Sequence, residues 1–197
     1  MQIIRTCEQG TDEWFQLRLG SIGGSSITHI LGGGRGREKL MNQLLDEIIT
    51  GQNAESYQNA NMRRGTEYEP KARLYYELIT GNIVEEVALI TNDVKGVHYS
   101  PDGLIGNDGL LEIKTRLPHV FLEKIDSGKI EIGYIRQVQH GLWVTERQYC
   151  DFMNYCPEAK DPMHLTRIER DEKMIREIKV EVRLFLEELN AKVERLR

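Results

Sequence analysis

The chain has 197 residues, of which 40% are hydrophobic, a formal net charge of −5 and no run of 18 apolar residues. This length and composition predict one folded domain over residues 1–197, and they exclude intrinsic disorder and a membrane-spanning helix. The acidic charge argues against a protein that coats nucleic acid through net charge alone, but it is compatible with a metal site that gathers carboxylates.

The three cysteines are Cys7, Cys150 and Cys156. Their number and spacing suit neither a disulfide framework nor a zinc site, so they are predicted to be reduced thiols of a cytoplasmic protein. Residues 1–6 lack the apolar stretch of a signal peptide, which agrees with a cytoplasmic location.

The first half of the chain is predicted to be mainly helical. Thr11 is a candidate N-cap, with Trp14 and Leu17 following at helical spacing. Glycine-rich residues 32–37 predict a flexible loop, without the Gly-Lys-Ser/Thr of a phosphate-binding loop. Apolar periodicity predicts helices over residues 25–31, 38–49 and 64–79.

The second half contains the predicted strands. Apolar runs bounded by glycine and asparagine predict strands over residues 83–90, 97–100, 109–115, 148–154 and 165–169. Helices are predicted over residues 134–143 and 171–196. Helices before and after a central set of strands indicate an α/β fold, with a mixed β-sheet flanked by α-helices.

Two carboxylates and a lysine define the first candidate site. Asp102 follows Ser100 and Pro101 at a turn, and Glu112 and Lys114 lie ten and twelve residues later in an apolar strand. Alternating side chains of a strand share a face every second residue, so Glu112 and Lys114 point the same way. A carboxylate in an apolar strand needs a partner, and a divalent metal with Asp102 as second ligand is the obvious candidate.

Glu69 is a candidate third carboxylate, because it lies on the preceding predicted helix. It is four residues before Arg73, so an ordinary surface ion pair is the alternative. Gln137 is expected to face inward from its helix, where a phosphate or a metal-bound water would be its partner; a surface glutamine is the alternative. His140 is placed near this chemistry only on its proximity to Gln137.

Arg18 precedes a turn of small residues that opens a helix at Ser25. An arginine in that setting suits a phosphate, and a local structural role is the alternative. Two local basic groups are candidates for a DNA track or for ordinary solvated surface. They are Arg35, Arg37 and Lys39, and Arg63 and Arg64.

An aspartate followed by Glu-x-Lys after a helical glutamate resembles the PD-(D/E)xK nuclease superfamily. Further blocks in the same order resemble the YqaJ-type viral recombinase family, to which bacteriophage lambda exonuclease belongs. These blocks are residues 8–14 and 17–20, Tyr68–Glu69, Ala72–Arg73, residues 100–104 and 111–114, residues 137–139 and 143–145, Asn154–Tyr155 with Pro157, and residues 168–173.

The resemblance implies a restriction-endonuclease-like core in a single exonuclease domain over residues 1–197. It implies Mg²⁺-dependent 5′–3′ digestion of one strand of linear double-stranded DNA, with Mn²⁺ as a substitute ion, leaving a 3′ single-stranded overhang for recombination by strand annealing. A related endonuclease or nickase is the alternative, and an inactive DNA-binding module is a further one.

Residue roles follow from the same resemblance. Glu69, Asp102 and Glu112 would bind the metal together with the carbonyl of Ile113, and Lys114 would orient or activate the attacking water. Gln137 would be a polar residue of the active centre. The residues that would hold the 5′ phosphate are Arg18, Ser25 and Ser100. Ser25 is favoured by its spacing to Arg18, and Ser26 is the alternative to it.

The family further implies a homotrimeric ring that encloses double-stranded DNA ends, and a single-strand annealing protein as partner. It implies a phage- or prophage-encoded protein in the cytoplasm of a bacterial host, with no membrane association.

Overall fold

The computed structural model describes residues 1–53 and 60–197, and of residues 60–62 it describes the backbone only. After the first helices, the described chain continues with a run of five strands, two helices, two strands and a last helix. The helices are α1 Asp12–Arg18, a 3₁₀ helix Gly24–Ser26, α2 Ile27–Gly32, α3 Gly34–Thr50, α4 Ala60–Thr80, α5 Pro118–Ser127, α6 Ile132–Thr145 and α7 Glu172–Leu196. The strands are β1 Gln2–Ile4, β2 Val84–Glu85, β3 Leu89–Thr91, β4 His98–Tyr99, β5 Gly103–Ile105, β6 Gly109–Thr115, β7 Tyr149–Tyr155 and β8 Met163–Glu169.

The strands form two sheets. The larger has the order β2-β5-β6-β7-β8, and only its β6–β7 pair is parallel, so it is mixed as predicted. The smaller is antiparallel with the order β1-β3-β4. Within the described residues, no helix is long and apolar enough to cross a membrane. The predicted α/β fold is confirmed.

Two apolar clusters cover opposite faces of the larger sheet. Adjacent residues of β6 divide between them, Leu110 in one cluster and Leu111 in the other, as alternation along a strand requires. Ala72 and Tyr76 of α4 pack with Leu111. Helices α2, α3, α6 and α7 contribute to the cluster on the other face, so Glu112, in phase with Leu110, points toward these helices.

Residues 83–90 were predicted as one strand, and that prediction is wrong. The segment contains β2 in the larger sheet and β3 in the smaller one. The two-residue period breaks here, because Glu85 and Glu86 are both exposed and Val87 and Ala88 are both buried. The chain therefore changes sheets between the two strands.

Residues 32–37 were predicted as a loop, but α3 already begins at Gly34. Gly33, with φ of +65°, separates α2 from α3. Arg37 in the first turn of α3 pairs with Glu188 at 2.8 Å and stacks on Phe185 at 5.0 Å, which ties this turn to α7. Strands β1 and β5 and helix α5 were not predicted; the two strands have three residues each, and α5 begins at Pro118.

The β5–β6 hairpin is closed by one side chain. Arg147 is 8% exposed, and its Nη1 donates to the carbonyls of Ile105 at 3.3 Å, Gly106 at 2.9 Å and Gly109 at 2.6 Å. The hairpin pairs Gly103 with Leu111. The residues that follow Asp102 are thereby held in register with those that precede Glu112.

Candidate active site

Glu112 lies in the middle of β6, is 2% exposed, and accepts hydrogen bonds from three side chains. The Tyr99 hydroxyl donates to its Oε2 at 2.8 Å. Gln137 Nε2 donates to its Oε1 at 2.6 Å, and the Lys114 ammonium donates to the same oxygen. Gln137 therefore faces inward as predicted, and Glu112 and Lys114 share a face of the strand.

Asp102 lies at the turn before β5 and is tied to β6. Its Oδ2 accepts the backbone N–H of Ile113 at 2.6 Å, while its own carbonyl accepts Arg73 Nε at 3.0 Å. Burial, together with the charges of Glu112 and Glu69, raises the pKa of Asp102 well above its usual range. The three carboxylates Glu69, Asp102 and Glu112 thus interact electrostatically, and they are called the acidic cluster below.

Glu69 is held on α4 by Arg73, four residues further along. The Nη2 of Arg73 donates to Glu69 Oε1 at 2.8 Å, and its Nη1 pairs with Glu86 at 2.8 Å. The predicted ion pair exists, but Arg73 is only 8% exposed and also contacts the backbone of Asp102. The pair is therefore part of the site rather than a solvated surface bridge. Burial raises the pKa of Glu69; Arg73 opposes this shift and Glu112 adds to it.

Lys114 brings a positive charge to the acidic cluster. Burial alone would lower its pKa, but the charges of Glu112 and Asp102 outweigh that effect and raise it. Two cations, Lys114 and Arg73, thus face three carboxylates.

The donor set of the acidic cluster fits a hard divalent cation, which prefers carboxylate and carbonyl oxygens. Burial is the main cause of the raised pKa of Asp102, and the charges of Glu112 and Glu69 add to it. With three carboxylates facing two cations, negative charge is in excess here. In residues 1–53 and 60–197, however, no three histidine, cysteine or acidic side chains are arranged to hold an ion as they stand. Both oxygens of Glu112 are occupied by side-chain donors.

Arg18 forms a second group beside this cluster. Its guanidinium stacks on the Trp14 ring at 3.8 Å, and Trp14 Nε1 donates to the Ala88 carbonyl at 2.9 Å and to Ser100 Oγ at 3.2 Å. Trp14 therefore connects Arg18 to Ser100, which lies two residues before Asp102. Burial lowers the pKa of Arg18 to about 10, so it remains a cation at neutral pH. Arg18, Trp14 and Ser100 are called the arginine pocket below.

Ser25 lies in the exposed part of the 3₁₀ helix. A Cβ on its neighbour Gly24 would come within 3.0 Å of the Tyr99 ring and 3.1 Å of Gln137 Cγ. Because Tyr99 and Gln137 both bind Glu112, this close backbone approach places Ser25 at the edge of the acidic cluster.

The two basic groups are partly used within the fold. Arg37 pairs with Glu188, and Arg64 donates to both oxygens of Glu158 at 2.8 and 2.7 Å. These contacts favour the alternative of structural or solvated charge for these two arginines.

His140 was expected near the chemistry; its ring lies 6.4 Å from that of Tyr99, which binds Glu112, but among the described residues it makes no hydrogen bond to the acidic cluster. It is fully buried, and its Nε2 donates to the His98 carbonyl at 3.0 Å. Within the described residues its Nδ1 has no partner. His140 is a core residue of α6.

Sequence reasoning missed His98 and Tyr99. Both are 2% exposed, and they hydrogen-bond to Arg18 and Glu112, respectively. A signal was present, because two polar rings in a predicted buried strand just before Asp102 require partners.

The chain is similar to several known proteins. The family model for the YqaJ-like viral recombinase domain matches residues 13–148. The crystal structure of the alkaline exonuclease LHK-Exo from Laribacter hongkongensis is 42% identical, covers 94% of this chain and 96% of its own, and superimposes with a TM-score of 0.89. The structure of LHK-Exo in complex with dAMP gives the same values.

A phage-related exonuclease from Haemophilus somnus 129PT is 14% identical with a TM-score of 0.68 and covers 93% of this chain and 99% of its own, which shows the shared fold. A stretch of 62 residues is 36% identical to the uncharacterized Escherichia coli (strain K12) protein ExoD, covering 31% of this chain and 71% of that protein. The predicted nuclease class is confirmed by the family and by the alkaline exonuclease. With its family model matched from residue 13 to residue 148, the chain belongs to the YqaJ-like viral recombinase domain family.

Proposed function

We propose that this DNA exonuclease degrades one strand of linear double-stranded DNA in the 5′ to 3′ direction, requires Mg²⁺, and leaves a 3′ single-stranded overhang. The observation that carries the proposal is the adjacency of two groups of opposite charge. The acidic cluster surrounds Lys114 and Gln137, and the arginine pocket joins it through Ser100, two residues before Asp102.

The acidic cluster supplies the chemistry of phosphodiester hydrolysis. Glu69, Asp102, Glu112 and the Ile113 carbonyl would hold Mg²⁺, which when bound neutralises the phosphate and provides a nucleophilic water at neutral pH. Lys114 contributes a fixed positive charge beside the reacting phosphate and orients the attacking water. Gln137 holds the Glu112 carboxylate through its amide and fixes which way that carboxylate faces.

The arginine pocket accounts for action at ends. The Nε–H of Arg18 donates to His98, while among the described residues the two terminal nitrogens of Arg18 make no hydrogen bond. These two terminal nitrogens present the fork of donors that matches a phosphate. Ser25 and Ser100 would add hydroxyls to a terminal 5′ phosphate. An enzyme that binds the terminal 5′ phosphate cuts at the first internucleotide bond and then proceeds inward.

The dAMP complex of LHK-Exo supports a reaction that releases mononucleotides. LHK-Exo was crystallised with dAMP, a deoxynucleoside monophosphate, and such monophosphates are the products of stepwise strand digestion. The remaining proposals come from the family resemblance: a homotrimeric ring, a single-strand annealing partner that loads on the 3′ overhang, and a phage-derived protein in the bacterial cytoplasm. Light scattering at a mass of three chains of 22.8 kDa would support the ring.

Linear duplex DNA labelled differently at its 5′ and 3′ ends tests the direction. With Mg²⁺, the 5′ label should leave first as a mononucleotide while the 3′ label stays in a long product, and EDTA should stop the reaction. Covalently closed circular duplex is the matched substrate without ends, and it should remain intact. Early loss of the 3′ label would refute the polarity, and nicking of the circle would favour the endonuclease alternative.

A further inference from the structure

The arginine pocket contains a buried histidine that the proposed chemistry does not use. His98 on β4 is 2% exposed, and its Nε2 accepts the Nε–H of Arg18 at 3.0 Å. Its Nδ1 lies 2.6 Å from Ser21 Oγ. The Ser21 hydroxyl in turn donates to the carbonyl of Arg18 at 2.8 Å. The three residues close a ring of hydrogen bonds.

This ring determines the tautomer of His98. A serine hydroxyl has one hydrogen, and Ser21 gives it to the Arg18 carbonyl. Ser21 Oγ must therefore accept a hydrogen from Nδ1, which leaves the Nε2 lone pair free for Arg18. Burial and the charge of Arg18 hold the pKa of His98 well below its usual value. The imidazole is therefore neutral, as this arrangement of hydrogen bonds requires.

The same ring of hydrogen bonds orients the guanidinium of Arg18. Trp14 covers one face of Arg18 at 3.8 Å, and His98 holds its Nε edge, so two constraints define its plane. An unrestrained arginine has many accessible rotamers, and part of this rotamer entropy is lost whenever the side chain is fixed on a ligand. Fixing the side chain in advance removes that loss from the binding step.

The backbone beside His98 is built to admit it. A Cβ on Gly23 would lie 2.7 Å from His98 Nε2, the same atom that accepts from Arg18. Any larger residue at this position would push the imidazole away from the arginine. Gly23 and Ser21 lie in one segment of the chain and His98 in another. All three residues determine the position of the hydrogen bond between His98 and Arg18.

We infer that His98 is a positioning residue for Arg18: as a neutral acceptor fixed by Ser21, it turns the terminal nitrogens of the guanidinium toward the 5′ phosphate of the DNA end. This inference rests on the proposed role of Arg18 as the 5′-phosphate ligand. His98 itself does not contact the substrate.

The first test compares digestion of 5′-phosphorylated and 5′-hydroxyl duplex by the wild type and by R18A, H98L and H98Q. Leucine removes the acceptor, whereas the glutamine carbonyl can replace it. We expect R18A and H98L each to reduce the preference for phosphorylated ends about tenfold, as for the loss of one charge-assisted hydrogen bond. H98Q should retain most of the preference, and R18A/H98L should be no worse than R18A. The matched control H164L, in a histidine on β8, should keep the wild-type ratio.

The second test reads the position of Arg18 without activity. The chain has two tryptophans, so 5-fluorotryptophan labelling gives two ¹⁹F resonances, of which Trp14 reports the stacked guanidinium. H98L should shift the Trp14 resonance in the direction seen for R18A, H98Q should not, and the Trp143 resonance should stay in place in each folded variant.

The outcomes separate the inference from the proposed function. A wild type indifferent to the 5′ phosphate would overturn both. A preference lost in R18A but kept in H98L, with an unmoved Trp14 resonance, would leave the phosphate pocket standing and overturn the role of His98. If H98L does not fold, unchanged stacking and preference in S21A, which removes the hydroxyl that fixes the His98 tautomer, would overturn it equally.

Discussion

The hydroxyl of Tyr99 donates to Oε2 of Glu112 across 2.8 Å, from one sheet to the other. Tyr99 belongs to β4 of the smaller sheet, and Glu112 to β6 of the larger. The bond therefore couples the position of a proposed metal ligand to the packing of the two sheets. It also leaves the other oxygen, Oε1, as the one that Lys114 and Gln137 reach.

Removing this hydroxyl should impair turnover more than folding. In Y99F, Glu112 loses one of three donors and is free to rotate, so kcat should fall about tenfold, the factor expected for a hydrogen bond to a charged group. Tyr76 offers a matched control, because its hydroxyl donates to the buried Asp151 at 2.7 Å. Y76F should lower the free energy of unfolding by about as much as Y99F and leave kcat unchanged. Equal kcat in the two variants would argue against a role for Tyr99.

Lys114 is expected to be essential for cleavage and dispensable for DNA binding. K114A removes the cation beside Glu112, and loss of a preorganised electrostatic contact lowers kcat by roughly 10²- to 10³-fold. Lys124 on α5 pairs with Glu131 at 2.9 Å, and K124A is the matched control with full activity. Single-turnover cleavage and DNA affinity should be measured on the same preparations. Normal turnover by K114A would remove this lysine from the chemistry.

Asp102 should lower the stability of the protein in the absence of metal. Burial and two neighbouring carboxylates disfavour its ionised form, so D102N should raise the free energy of unfolding while abolishing cleavage. Mg²⁺ should raise the melting temperature of the wild type and have little effect on D102N, because the ion binds the folded state through this carboxylate.

Asp151 supplies the opposite case for comparison. It is 2% exposed, accepts the buried Tyr76 hydroxyl at 2.7 Å and pairs with the exposed Arg167 at 2.8 Å and 3.0 Å. D151N should therefore destabilise the protein, since it leaves these donors with a weaker partner. Destabilisation of similar size in both variants would contradict the picture of excess negative charge at Asp102.

His140 should make the stability depend on pH. Burial lowers its pKa to about 4, whereas in the unfolded chain it is about 6.5, so the unfolded state takes up the proton first as the pH falls. Its contribution is fully present above pH 6.5 and is lost toward pH 4. Relative to H140Q, the wild type should lose about 2 kcal/mol of unfolding free energy between pH 7 and pH 5. A stability difference that is the same at both pH values would contradict this.

The arrangement around Glu112 was accessible from sequence because part of it is local. Glu112 and Lys114 share a face through strand alternation alone, and Gln137 lies on a strongly periodic helix. The helices and most longer strands follow the same periodicities. The segment 83–90 was mispredicted because an apolar run does not reveal that the chain leaves one sheet for another.

The contacts of His98 and Tyr99 could not be read in the same way. Each is a long-range contact, to Arg18 eighty residues earlier and to Glu112 thirteen residues later. Tertiary packing selects these partners, and no local period encodes them. Arg73 was read only as the partner of Glu69, although its bond to the Asp102 carbonyl spans 29 residues.

The hydrogen bonds of Arg147 limit insertions and deletions between Asp102 and Glu112. Because a single guanidinium binds three carbonyls around the β5–β6 turn, one added or deleted residue there would break its contacts. A one-residue slip would also turn Glu112 to the opposite face of the sheet, beside Tyr76 instead of Gln137. The interval from Asp102 to Glu112 is therefore expected to keep a constant length in active relatives, while its exposed residues, such as Asn107, are free to change identity.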